Sequence, residues 1–442
     1  MIKLRSYQSD VFLRIHKSVK RGHNPCVVLP CRSGKSYIIA KICEKTKGDV
    51  LVMAHRTELL SQLSELLNQY KNVRVASVFT EVRRLGKYSA PKIIIIDEAH
   101  LSEAASYKKV CEFYADSVRI LFTATPARLD GKPLTLADEL IIGVSMRELI
   151  SEGAVSDFDY YAPDIGVDTK NIETSYGDYN NKQLAELMCK PKLYGDVLKY
   201  YLALSDNRQA IAYCTSVKHA EQVAEMFNTY GIKARSINGS TPKKIRDTAL
   251  NDFKSGKYKI LCNCNLISEG ITLPNASVAL LLRPTQSLPL FIQQACRVLT
   301  PQEGKRATII DFVGNFQRHG LPDIEHEWSL SEKITSKSHS NEDGSFTLRT
   351  CEQCYKVFQT ADVCPYCGWK YQPKGRELEQ MKAVELKRIS EVEQIKIEEQ
   401  KRLMRMEVGQ CRTFNDLWRI QKQRGYSPAW VWKMAQIKGI RK

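Results

Sequence analysis

Gly34-Lys35-Ser36 and, further along, Asp97-Glu98 are residue types that could handle a phosphate ester. A lysine ammonium closing a glycine-bearing loop reaches the β and γ oxygens of a nucleoside triphosphate, and the following hydroxyl completes a magnesium shell. Of two adjacent carboxylates, one can hold that ion, directly or through water, while the other orients or deprotonates an attacking water. Lys35, Asp97 and Glu98 are therefore the candidate catalytic groups, with Ser33, Gly34 and Ser36 around the phosphates and Ser36 and Asp97 on Mg2+.

Such groups need elements that deliver them to one edge. The loop Leu29-Pro30-Cys31-Arg32-Ser33-Gly34-Lys35-Ser36 follows the apolar run Cys26–Leu29 and precedes a helical pattern from Tyr37 to Glu44. Strand, loop and helix in that order place backbone N–H groups around an anion. Leu29 stands where the general pattern has its first glycine, and Arg32 is bulky in a stretch that favours small residues. Ile93–Ile96 is four β-branched residues without polar alternation, a strand buried on both faces, as parallel sheets require. Val50–Ala54 and Ile120–Phe122 read the same way and end in polar clusters, His55-Arg56-Thr57 and Thr123-Ala124-Thr125. Open α/β sheets bind ligands beyond the carboxyl ends of their strands, which is where all these clusters fall.

The chain has 442 residues, 43% of them hydrophobic, which suffices for two core-sized domains and an appendage. Lys plus Arg outnumber Asp plus Glu by 66 to 49, a balance of +17 that suits a polyanionic partner. No apolar run is long enough to cross a bilayer and the N-terminus lacks a signal-peptide block, so a cytoplasmic, membrane-free protein is expected. Ten of the 14 cysteines are scattered, as at Cys26, Cys43, Cys214 and Cys262, where a reduced thiol serves as a small core residue. The other four, Cys351, Cys354, Cys364 and Cys367, form two Cys-x-x-Cys knuckles suited to a structural Zn2+.

Gly34-Lys35-Ser36, Asp97-Glu98-Ala99-His100 and Thr123-Ala124-Thr125-Pro126, in that order and strand context, resemble the signature of superfamily 2 helicases of the DEAD/DEAH type. The resemblance spans roughly residues 4 to 312 and implies two RecA-like parallel-sheet domains in tandem, with ATP and Mg2+ between them. A second set of strands is present: Ala210–Thr215, Ala234–Ile237, Tyr258–Cys262 and Val278–Leu282. The resemblance further implies nucleotide contacts from Arg5, Gln8, His100, Gly270 and Gln293, coupling through Thr123 and Thr125, and nucleic-acid contacts from Arg56, Thr57, Thr215, Ser216 and Ser268. Gln8 is a candidate base reader, since an amide both donates and accepts.

Gln293-Gln294-Ala295-Cys296-Arg297-Val298-Leu299-Thr300 resembles the family's last motif, Gln-x-x-Gly-Arg-x-x-Arg, with Cys296 for the glycine and Thr300 for the final arginine. Arg297 is the expected arginine finger and catalytic partner of Lys35, with Lys305 or Arg306 as stand-ins. Thr272 also departs from the usual aspartate.

The expected division is an ATP-binding domain over 1–150, a connector over 151–194, a second RecA-like domain over 195–330, a four-cysteine zinc ribbon over 345–372, and a charged helix with a basic aromatic tail over 374–442. The ribbon would contact DNA or buttress the second domain. In the tail, Trp418, Tyr426, Trp430 and Trp432 are interleaved with cations. They could stack on bases, Trp430 among them, or form a small core. The compact body, the run from Thr123 to Gly131 and the tail resemble phage branch-migration and recombination helicases, of the kind found in bacteriophage T5. That implies a monomeric ATP-driven motor on duplex, forked or branched DNA in the host cytoplasm. An RNA helicase and a nucleic-acid-binding protein with a degenerate ATPase are the alternatives.

Overall fold

The computed structural model describes residues 2–55, 57–126, 133–175, 177–189, 191–264, 273–330, 347–371, 411–424 and 426–440. Arg56, Arg128, Ser268, Gly270, Thr272, the charged run 376–406 and the side chains of Thr57 and His100 lie outside that set. The chain divides into two compact units, Met1–Trp369 and Lys370–Lys442.

The first unit contains two parallel sheets of six strands. In the first, β1 (Pro25–Val28), β2 (Val50–Ala54), β3 (Val73–Ser77), β4 (Ile93–Asp97), β5 (Val118–Thr123) and β6 (Glu139–Ile142) are ordered β3-β2-β4-β5-β1-β6. The unalternating runs of β1, β2 and β4 are buried at every position, because helices cover both faces. Helices α1 (Ser6–Lys20) and α2 (Lys35–Lys45) bring Val11, Ile15, Ile38 and Ile42 onto one face, and the helix Ala105–Phe113 brings Tyr107 and Val110 onto the other. Truncating Ile95, fully buried at the centre of β4, would cost about 2–5 kcal/mol.

The second sheet is likewise parallel and six-stranded but differently ordered: β7 (Phe158–Tyr161), β10 (Ala210–Tyr213), β11 (Ala234–Asn238), β12 (Ile260–Cys264), β13 (Val278–Leu281) and β14 (Ala307–Asp311) lie as β11-β12-β10-β13-β14-β7. A small hairpin of β8 (Thr174–Ser175) and β9 (Asp178–Tyr179) lies between β7 and β10 in sequence. The stretch expected as a connector thus supplies an edge strand: β7 pairs with β14, and only Tyr160 is buried within it. A half-exposed edge strand rich in Tyr and Asp carries little of the apolar signal that marks central strands.

β15 (Leu348–Thr350) and β16 (Val357–Gln359) form the antiparallel ribbon that carries the four cysteines. It docks on the second sheet. The Tyr355 carbonyl accepts from the Ala162 N–H at 2.9 Å, Lys356 Nζ meets Asp159 at 2.9 Å, and Val357 enters that sheet's core. In the other unit, helices Phe414–Arg424 and Pro428–Lys438 pack around Leu417, Ile420, Val431 and Ala435.

Candidate functional site

The loop after β1 is fixed from two sides. Gly34 adopts φ 79° as it enters α2, a left-handed conformation that suits glycine. A Cβ there would lie 2.5 Å from Gln8 Nε2. Gln8 is buried, and its amide donates to the Ser33 carbonyl at 2.9 Å while accepting from the Arg5 N–H at 2.9 Å. Tyr7 donates to the same carbonyl at 2.9 Å. The start of α1 therefore clamps the loop, with both ends of the Gln8 amide engaged on the protein. The Leu29 side chain is fully buried in the space left by Gly143, where an added Cβ would come within 2.4 Å of it. A large first loop residue is thus accommodated by a missing side chain far away in sequence.

Lys35 Nζ donates to the Leu29 carbonyl at 3.3 Å. Burial works against its charge, but the sulfur of Cys31 and the carboxylates of Glu98 and Asp97 outweigh that and hold its pKa above the ordinary lysine value. Asp97 is buried at the end of β4, and its Oδ1 accepts from the Glu98 N–H at 3.1 Å. Glu98 takes φ 60°, a left-handed conformation uncommon for a residue that carries a side chain. Thr123, at the end of β5, donates to the Thr125 carbonyl at 2.8 Å and accepts from its N–H at 3.0 Å, while its own carbonyl accepts from the Leu29 N–H at 3.0 Å. The threonine pair is joined to the phosphate loop through the backbone. Ser33 Oγ is buried without a partner among the described residues, the kind of orphan that an incoming phosphate or its water would satisfy.

The second sheet meets this edge. Arg297 ends the helix Leu288–Cys296, on which Gln293 and Gln294 are buried. Arg32, at φ 69°, donates to the Arg297 carbonyl at 3.4 Å, and Cys31 and Tyr7 pack against the second sheet's core. The Cys31 thiol hydrogen-bonds Cys296, and that bond, with Lys35, Arg297 and Arg32 nearby, holds its pKa below the ordinary value despite burial. Burial and the Arg297 charge lower the pKa of Arg32 to about 10. Tyr213, at the end of β10, is buried with its hydroxyl unpartnered among the described residues and within reach of both guanidinium charges. The stand-ins for Arg297 are committed elsewhere. Lys305 donates to the carbonyls of Pro274 and Ala276 at 3.0 and 2.8 Å, and Arg306 pairs with Asp157 and Asp159. Arg32, Cys31, Cys296 and Tyr213 were not expected as neighbours. Only the bulk of Arg32 and the Cys296 departure hinted at them.

Thr215 follows β10 and is buried, with its N–H donating to His219 Nδ1 at 3.3 Å and its hydroxyl 3.0 Å from the same atom. Burial lowers the pKa of His219 to about 4, so the ring is neutral. Ser216 caps the helix Val217–Thr229, accepting from the His219 N–H at 3.1 Å. In the C-terminal unit Trp430 packs on the small core, whereas Trp418 and Trp432 are 37% and 50% exposed.

The sulfurs of Cys351, Cys354, Cys364 and Cys367 all lie within 4.8 Å of one another, with Cys351–Cys367 at 3.5 Å and Cys354–Cys364 at 3.8 Å. A tetrahedron of thiolates on zinc has edges of about 3.8 Å, so the donor set and its spacing fit that ion. Among the described residues no helix is long and apolar enough to cross a membrane.

Comparison with known proteins matches residues 193–300 to the helicase conserved C-terminal domain, and 1–87 and 75–128 to the family described as type III restriction enzyme, res subunit. The 51.5 kDa protein of Lactococcus phage (isolate 7-9) is 34% identical over 383 residues, covering 82% of this chain and 84% of that one. The DNA 3'-5' translocase XPB2 of Sulfurisphaera tokodaii is 23% identical, covering 71% and 82%. Among solved structures, a fragment of an HsdR-type subunit of a type I restriction enzyme from Vibrio vulnificus YJ016 shares the fold with a TM-score of 0.58 at 19% identity, over 72% of this chain and 66% of that one.

Proposed function

We propose, starting from the fact that this chain belongs to the superfamily 2 helicases, that it is an ATP-driven motor on DNA that remodels duplex, forked or branched structures. One observation carries the reading: the turn bearing Arg297 abuts the phosphate loop bearing Lys35, held by the Arg32 guanidinium on the Arg297 carbonyl. Two similar sheets therefore present opposite halves of one triphosphate site. The name of the archaeal translocase and the +17 balance support DNA as the partner.

In this reading residues 1–150 form the nucleotide lobe, and 195–330 with β7 form its partner, buttressed by the ribbon over 345–372. Lys35 and the loop N–H groups bind the β and γ phosphates. Ser36 and Asp97 supply hard oxygen donors for Mg2+, which offsets phosphate charge when bound. Glu98 orients and deprotonates the attacking water, and Arg297 stabilises charge on the γ-phosphate oxygens. Thr123 and Thr125 pass the state of the loop to the neighbouring strand end. Arg5, Gln8, His100, Gly270 and Gln293 frame the nucleotide. Arg56, Thr57, Thr215, Ser216 and Ser268 grip the nucleic-acid strand, and alternating closure of the lobes ratchets it. The four cysteines hold Zn2+, and thiols kept reduced for that purpose fit the host cytoplasm. The chain acts as a monomer. The basic aromatic hairpin adds a DNA contact in which Trp418 and Trp432 offer more exposed ring than Trp430.

ATP hydrolysis measured with matched single-stranded, duplex, forked and four-way DNA, and with RNA of the same sequences, tests the substrate class. Stimulation by DNA, greatest on forked or four-way forms, is expected; stimulation by RNA alone would overturn the DNA assignment.

A further inference from the structure

We propose that Arg32 is a positioning residue for the finger: from inside the phosphate loop it holds the turn that carries Arg297, so that loop conformation and finger placement move together. The inference rests on the motor reading above and deepens it. Several observations converge on Arg32. It keeps φ 69° in a loop where glycine would be relaxed, a strain that persists only when the surroundings hold the residue there. Its guanidinium donates to the Arg297 carbonyl at 3.4 Å across the boundary between the sheets. That carbonyl sits at the C-terminal, negative end of the helix Leu288–Cys296, where a cation is favoured. The Thr300 hydroxyl also donates to it, at 3.5 Å, a longer and neutral contact. Two neighbouring arginines repel each other, and that repulsion contributes to lowering the pKa of Arg32. Arg32 grips the backbone of Arg297, so this bond uses none of the hydrogen-bonding groups of the second guanidinium. Cys31, packed on the second sheet's core beside Cys296, keeps Arg32 at the boundary.

An arginine that contacted phosphate itself would alter nucleotide binding. One that acts through Arg297 alters turnover only, and only while Arg297 is present. The test compares Arg32→Gly, Arg32→Lys, Arg297→Lys and the double variant Arg32→Gly/Arg297→Lys in DNA-stimulated ATP hydrolysis, with thermal melting and binding of a fluorescent ATP analogue alongside. Glycine suits the left-handed position, so Arg32→Gly is expected to keep or raise the melting temperature. It should lower kcat roughly tenfold, the worth of one hydrogen bond from a charged donor, with KM and analogue affinity changed less than about threefold. Arg32→Lys should retain part of the turnover, and in the Arg297→Lys background Arg32→Gly should add less than about a twofold loss. Wild-type kcat in Arg32→Gly, a loss confined to nucleotide affinity, or multiplicative losses in the double variant would each overturn the positioning role. A different result bears on the motor reading: full hydrolysis by Arg297→Lys would remove the finger itself, whatever Arg32 does.

Discussion

Substituting Gly143 by alanine tests how the phosphate loop tolerates Leu29 at its head. The new Cβ would stand 2.4 Å from Leu29 Cδ2 and 3.1 Å from Val11 Cγ2. Side-chain carbons pack at about 3.5–4.0 Å, so Leu29 must retreat by about 1 Å or leave its rotamer. Overpacking of a tight core costs about 1–3 kcal/mol, which for a lobe of this size lowers the melting temperature by roughly 3–10 °C. Leu29 is the residue whose carbonyl receives Lys35 and whose N–H reaches Thr123. The displacement should therefore also raise the KM for ATP. Leu29→Ala alone opens a cavity worth about 2–5 kcal/mol, but in the double variant the methyl added at 143 fills part of the space left by the carbons removed from Leu29. Thermal melting and ATP titration of both single variants and the double variant close the cycle. A double variant more stable than Leu29→Ala supports the complementarity; strictly additive losses would refute it.

Other consequences follow from the same contacts. Tyr213→Phe removes a buried hydroxyl with no partner among the described residues and should raise stability by about 1 kcal/mol, read as a higher melting temperature; a lower one would show that the hydroxyl is satisfied. A colorimetric chelator added with a thiol-modifying mercurial should release one zinc per chain from the wild type and none from Cys354→Ser, and release of none from the wild type would remove the metal from the ribbon. His219 and His319 have pKa values lowered to about 4 by burial, so the unfolded chain takes up protons first as pH falls below 6.5. Stability is then intact above that value and declines toward pH 4, with each histidine costing about 2 kcal/mol at pH 5. Melting temperatures at pH 7 and 5 should differ accordingly and differ less in His219→Gln. An unchanged difference in that variant would clear His219 of the effect.

The sequence exposed the parts of the fold that are local. Ile93–Ile96 is legible as a central parallel strand because burial on both faces leaves no alternation, and Gly34-Lys35-Ser36 lies at the start of a helix because its glycine, lysine and serine meet the needs of that turn. The acids at 97 and 98 then fall at the ligand edge by topology alone. What stayed hidden is long-range. Phe158–Tyr161 is an edge strand with one protected side chain, so its pattern is that of a polar linker. Leu29 departs from the usual glycine because Gly143 makes room, a pairing that spacing cannot show. Arg32 and Cys31 meet Arg297 and Cys296 only once two sheets come together. The aromatic tail was evenly balanced between core and contact, and its residues divide: Trp430 packs inward while Trp432 is half exposed.

Steady-state ATP hydrolysis by the purified chain and by its Glu98→Gln variant, each with and without duplex DNA, tests the shared triphosphate site most directly. The wild type should hydrolyse ATP faster when DNA is added, and the variant should lose hydrolysis by a factor of roughly a hundred or more while still binding nucleotide. Equal rates for the two proteins, or a wild-type rate indifferent to polynucleotide, would contradict it.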